Sequence, residues 1–217
     1  MQNINFSSLL PAMLDGMLTS LAIFFLTLLI ALPLGLLVSA GRISKHRFIR
    51  YPIQFYLLIM RGTPLMLQLF FFYFGPYFLL GISGVSRFWM AILAFSLNYT
   101  AYFAEIYRSG IQSIPIGQHE AAAALGFTKK ETFFKIILPQ VIKRILPPMG
   151  NEFMTLVKDT ALARVIAVVE LFDVAAKAAS GYVSVIPYVV AGTFYLLMNF
   201  LVGQFFITTE RKLSYYR

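Results

Sequence analysis

No charged residue stands between Met17 and Ala40, and Arg42, Lys45, Arg47 and Arg50 follow at once. An apolar run of that length is enough to cross the ~30 Å hydrocarbon core of a bilayer as a helix. The rest of the chain agrees. Of its 217 residues, 59% are hydrophobic and the mean hydropathy is +0.76, more apolar surface than a soluble domain hides. The fold class expected is therefore all-α and membrane-integral. No cysteine is present, so a disulfide framework and a thiolate metal site are excluded. The formal net charge of +9 is compatible with a nucleic-acid partner. The basic residues flank apolar runs, however, which fits membrane topology instead. No basic segment precedes the first apolar run, and that run is too long for a signal peptide, so it is expected to be a retained span.

Reading on along the chain gives about five spans. The first is Met17–Ala40. In the stretch "YPIQFYLLIMRGTPLMLQLFFFYFGPYFLLGI", Thr63 is a good N-cap and Pro64 a good first helical residue. The chain is thus expected to break there: Tyr51–Met60 along the cytoplasmic interface, Arg61 at the headgroups, and a second span Pro64–Ile82 kinked at Gly75-Pro76. A third span covers Phe88 to about Tyr107, a fourth about Pro148 to Leu171, and a fifth about Val185 to Ile207. Glu170, Asp173 and Lys177 fall in an outer loop. On this division fourteen of the eighteen Lys and Arg residues lie on one side and two on the other. The positive-inside rule then puts the N-terminus outside and the C-terminus inside, with Tyr215 and Tyr216 as an interfacial anchor. Nothing marks a repeat or a second domain, so residues 1–217 form one transmembrane unit with a cytoplasmic loop over about 109–146.

Within that loop, "EAAAALGFTKKETFFKIILPQ" departs from its surroundings. A short helix is expected from about Gln118 to Leu125, closed by Gly126 in a left-handed conformation. Thr128 then caps a second helix with Glu131 as its capping-box partner, ending near Leu138 because Pro139 follows. A helix of about eight residues is not stable alone in water, so something packs on it: a partner protein's groove, or the chain's own spans.

The spacing E-A-A-x3-G-x9-I-x-L-P is met by Glu120, Ala121, Ala122, Gly126, Ile136, Leu138 and Pro139. It resembles the EAA loop in the membrane subunits of binding-protein-dependent ABC importers of the type I fold. "RGTPLMLQL", "NYTAYFAEIYRSGIQSIPIGQ" and "LVKDTAL" resemble the polar amino-acid permeases of that family. The resemblance implies a five-span permease in a bacterial cell membrane, a second permease subunit, two ATPase subunits beneath and a binding protein outside. It implies that the short helix couples to an ATPase groove, with Glu120 meeting a basic group there. No G-x-x-x-x-G-K-[ST] loop occurs; ATP and magnesium would belong to the partner, and this chain would carry no catalysis, cofactor or metal of its own.

For the substrate path, depth is the guide. Lys158 lies about 15 Å into the fourth span at 1.5 Å per residue, and Asn98 reaches a similar level in the third. Ionised groups there are costly. Lys158 and Asp159 are adjacent and cannot face each other on one helix, so each needs a partner elsewhere. A zwitterionic amino acid supplies both, and Tyr102 and Thr160 add hydroxyls. Structural pairing between helices is the alternative. Arg164, nearer the outer surface, is expected to be structural, and Glu105 and Glu152 to form salt bridges. The rival functions are a stand-alone transporter or channel using Lys158–Asp159 as an ion relay, and an importer of a dipeptide, methionine or an anion.

Overall fold

The computed structural model describes residues 4–213, and every regular element among them is helical. Helix α1 (Phe6–Ile43) starts well before the charge-free run, because Asn5 caps it: the Asn5 side chain accepts from Ser7 N at 3.1 Å. Asp15 is therefore helical and not part of a leading loop. Helices α2 (Arg47–Gly62) and α3 (Leu65–Leu80) are bent by 110° at the expected break. The capping differs from expectation. Pro64 occupies the N-cap position of α3, and the Thr63 hydroxyl donates back to Ile59 O at 2.8 Å, closing α2. Pro76 lies inside α3 without ending it.

Helix α2 packs on α4 (Arg87–Gln112). Tyr56 donates to Leu97 O at 2.5 Å, and Asn98 donates to Met60 O at 3.0 Å. The break is thus held against the middle of α4, with Arg61 over the Tyr102 ring of that helix.

The insert begins with α5 (Ile116–Ala124). Next comes the single turn α6 (Lys129–Glu131), which continues without interruption through a π-helical stretch, Thr132–Ile137, into α7 (Leu138–Asp159). Pro139 was expected to end a helix; it opens one. A proline ring clashes with the carbonyl four residues earlier in an α-helix, and the wider π turn before it relieves that contact. Helix α7 starts earlier than the expected fourth span and stops sooner. At Thr160 it tightens to a 3-10 helix that runs to Ile166, and Ala167 turns left-handed at φ 58.

The expected outer loop is instead helix α8 (Leu171–Tyr182), packed between α1 and α9 (Ile186–Leu213). Glu170 is fully buried. Its carboxylate caps α8, accepting from Phe172 N at 2.8 Å and Asp173 N at 2.7 Å, and Tyr195 Oη donates to it at 3.0 Å. Ser20 of α1 donates to it at 3.4 Å and accepts from Leu171 N. Gly16 permits the approach, since a Cβ there would lie 2.9 Å from Leu171 Cα. Arg164 pairs with Asp173 at 3.5 Å, the structural role expected of it, and Lys177 joins the same carboxylate at 2.5 Å.

The core runs through α1, α3, α4, α7, α8 and α9, with Ile23, Leu69, Phe95, Tyr99, Phe103 and Leu156 almost fully enclosed. Among the described residues, α1 and α9 are each long and apolar enough to cross a membrane, and α2 with α3 qualifies as one bent span. Helices α4 and α7 are less apolar along their length. Tyr215 and Tyr216 lie outside the described residues.

Candidate functional site

The end of α7 separates its two charges, as helix geometry requires. Asp159 turns toward α4, where Tyr99 Oη donates to it at 2.8 Å. The Tyr99 ring is 6.1 Å from that of Tyr102, and the Arg61 guanidinium stands 5.6 Å over Tyr102. Glu152, seven residues before Asp159 and so on the same face of α7, feels the charges of both Asp159 and Arg61. Lys158 turns the other way. It opens on a groove of about 620 Å³ between α7 and α9, beside Asn151, Thr155, Tyr195 and Asn199. It makes no hydrogen bond or ion pair among the described residues.

The other two residues expected on the path are placed differently. Asn98 is 4% exposed, and its amide donates to Met60 O and to Gln68 Oε1, each at 3.0 Å. It locks the α2–α3 break. Thr160 is 1% exposed and its hydroxyl donates to Val157 O at 2.8 Å, so it satisfies the transition from α to 3-10 helix. The structure therefore links Tyr102 to Asp159 only through Tyr99, sets Lys158 apart on another face, and engages Asn98 and Thr160 in hydrogen bonds within the fold.

Sequence reasoning missed Tyr99 and the placement of Arg61. The signals were present: Tyr99 and Tyr102 are three residues apart on α4, and Glu152 and Asp159 seven apart on α7, each pair on one helix face. Glu105 follows Tyr102 by three and forms the salt bridges expected of it. Arg108 holds it at 2.7 Å, with Arg61 at 3.6 Å and Arg42 at 3.8 Å.

The second feature is the insert. Gly126 has φ 80, as expected. Its N–H donates to Ala123 O and that of Phe127 to Ala122 O, both at 3.0 Å, which satisfies the last carbonyls of α5. The capping box follows as expected: Glu131 N donates to Thr128 Oγ1 at 3.3 Å, and Thr128 N to Glu131 Oε2 at 3.1 Å. Bonds from Lys135 and Thr128 hold the Glu131 carboxyl down at about 2. Ala122 packs inward, while Glu120 and Ala121 are exposed. Leu138 is half-buried and Pro139 exposed. Ile116 and Leu125 are 71% and 76% exposed, so α5 ends in two uncovered apolar side chains.

Polar side chains enclosed by long apolar helices, with an exposed helical insert on one loop, define a membrane permease component. The chain belongs to the family described as binding-protein-dependent transport system inner membrane component, which residues 31–214 match. It is 38% identical to the arginine transport system permease protein ArtQ of Bacillus subtilis, over 98% of both chains. It is 36% identical to the nopaline transport system permease protein NocM of Agrobacterium fabrum, over 92% of this chain and 87% of that one. A solved amino acid ABC transporter with histidines superimposes with a TM-score of 0.87 at 32% identity, covering 97% of this chain and all of the other. The MetNI methionine ABC transporter, at 17% identity and a TM-score of 0.72, shares the fold.

Proposed function

We propose that this chain is the membrane-spanning subunit of an ATP-driven importer for polar amino acids in a bacterial plasma membrane. It crosses five times, with the N-terminus outside and the C-terminus inside. A second permease subunit, two ATPases that bind ATP and magnesium, and an external binding protein complete the machine. The observation that carries the reading is the end-to-end likeness to an arginine permease in a chain that also carries the Asp159–Tyr99 pair between two helices.

On this reading the binding protein delivers cargo from outside. The ATPases close on ATP, and α5, seated in an ATPase groove through Glu120, Ala121, Ile116 and Leu125, carries the stroke into α7 through the π-helical stretch. Gly126 sets the angle of α5, and Leu138 and Pro139 start the helix that moves. Asp159 takes the positive end of the cargo, steadied by Tyr99 and beside Tyr102. Lys158 takes a carboxylate from the neighbouring groove or from the second subunit. Asn98 and Thr160 shape the path by fixing backbone.

The test is uptake by correctly assembled complex in proteoliposomes. Losing one partner of a desolvated charge pair costs about 2–5 kcal/mol. Asp159→Asn and Lys158→Met are each expected to abolish most uptake while basal ATP hydrolysis survives. Near-normal uptake in either variant removes that residue from the path. Poor assembly rescued by the double change would assign both to structural pairing.

A further inference from the structure

A second cavity, about 410 Å³, opens where α1, α2 and α4 meet; Arg42, Gln54, Leu57, Arg61 and Glu105 line it. Its electrostatics are unbalanced. Arg108 takes both Glu105 oxygens, through Nε at 3.1 and 3.2 Å and an Nη at 2.7 Å. Arg61 and Arg42 stand off at 3.6 and 3.8 Å, beyond good hydrogen-bond distance. Three guanidinium charges thus meet the Glu105 carboxylate, and Arg61 alone also acts on a second, Glu152 of α7. Neither Arg42 nor Arg61 donates a hydrogen bond to any described residue. Their side chains are 28% and 44% exposed, and both line the cavity. Arginine in a helical bundle of a membrane protein ordinarily has its charge and donors answered. A planar fork with spare donors is shaped for a carboxylate or phosphate.

The position of the cavity selects among anions. Arg61 covers the Tyr102 ring, and Tyr102 neighbours Tyr99, which holds Asp159. The cavity is therefore adjacent to the cargo cluster, the two being joined through Arg61 and Tyr102. Glu105 lies six residues beyond Tyr99, about 9 Å further along the helix. The volume falls in the range of pockets that hold small molecules, about 300–1,000 Å³. A solute carrying both charges suits a cavity with two under-used guanidiniums and one carboxylate.

We infer that this cavity is a second amino-acid site on the path, in which Arg42 and Arg61 clasp the cargo carboxylate and Glu105 faces its ammonium group. The inference rests on the amino-acid reading of the preceding section. Cargo leaving Asp159 would pause here before release on the side of Arg108.

Equilibrium binding to the nucleotide-free permease–ATPase complex in nanodiscs tests it, with radiolabelled L-arginine, L-glutamine and L-cystine as probes. For the amino acid that binds, two molecules per permease chain are expected. Asp159→Asn should remove one of them. Arg61→Met should weaken the other by roughly 30-fold or more; Arg42→Met, away from the Tyr102 ring, should do the same with the first unaffected. Arg61→Lys, which keeps the charge and loses the fork, should fall between, and co-elution with the ATPase establishes assembly of each variant. One molecule per chain, unchanged in Arg61→Met, overturns the inference and leaves the Asp159 site standing. So does a second outcome: amino-acid binding unchanged in Arg61→Met, together with loss of a melting-temperature gain that phosphatidylglycerol gives the wild type over phosphatidylcholine. The cavity would then hold a lipid phosphate. If the wild type binds none of the three amino acids, the cargo reading itself falls, and this site with it.

Discussion

Replacing Gly126 by valine tests the insert with a cost that comes from one source. A Cβ at Gly126 would meet nothing within 4 Å, so crowding contributes nothing. What remains is the backbone at φ 80. The left-handed region costs an L-residue about 1–2 kcal/mol, and a β-branched side chain lies at the top of that range or above. Two hydrogen bonds at 3.0 Å hold the turn, and α5 is only nine residues long, too short to persist unaided. A loss of about 2 kcal/mol is close to a 30-fold fall in the population of the correct turn. Gly117 supplies the opposite sign within the same helix. It has open space and an ordinary φ, so alanine there gains up to about 1 kcal/mol of helix propensity. The assay is recovery of the ATPase on a tagged permease across a range of ATPase concentrations, with uptake alongside. Gly126→Val is expected to shift half-recovery upward by roughly tenfold or more and to abolish uptake, while Gly117→Ala matches the wild type. Equal recovery and uptake in the two variants would refute the assignment of α5 as the coupling element.

Three further outcomes are expected. Asn98→Leu removes the donors that hold Met60 O and Gln68, costing about 1–3 kcal/mol; the thermal midpoint in detergent should fall, and an unchanged midpoint with lost uptake would return Asn98 to the cargo path. Glu131 sits at about 2 against an ordinary 4.5, so its capping contribution is complete above about pH 4.5 and fades as pH falls through 2. Protection of the Thr128 amide, taken relative to its intrinsic exchange rate at each pH, should hold from neutrality to pH 5 and be lost only in strong acid, whereas in Glu131→Gln it should show no such acid step. For topology, Ser7→Cys in this cysteine-free chain should react with an impermeant thiol reagent in intact cells and Lys130→Cys should not; the reverse would invert the orientation.

Local chemistry made the insert legible. Gly126, Thr128 and Glu131 act on neighbours within a few residues, and each was found where spacing placed it. The α2–α3 break was legible for the same reason, although Pro64 took the N-cap position assigned to Thr63. What sequence reasoning missed was set by partners far along the chain. Depth counted from a helix end put Asn98 near the cargo, but the backbone exposed by the break, at Met60, claimed its donors. Pro139 read as a stop because the π-helical accommodation before it has no sequence signature. Glu170, Asp173 and Lys177 read as a loop because charge suggested water. The carboxylate of Glu170 is satisfied instead by its own helix terminus, by Tyr195 and by a serine 150 residues earlier.

That last contact bears on the order of assembly. Gly16 and Ser20 form a notch in α1, and its occupant, the Glu170–Leu171 peptide, is made 150 residues later. At about 5–20 residues per second, the nascent protein holds that notch vacant for roughly 8–30 seconds. Helices α2 to α7 are all made meanwhile. Helix α1 cannot reach its final packing until Glu170 and Leu171 are made, and truncation anywhere before Glu170 leaves it permanently unclosed.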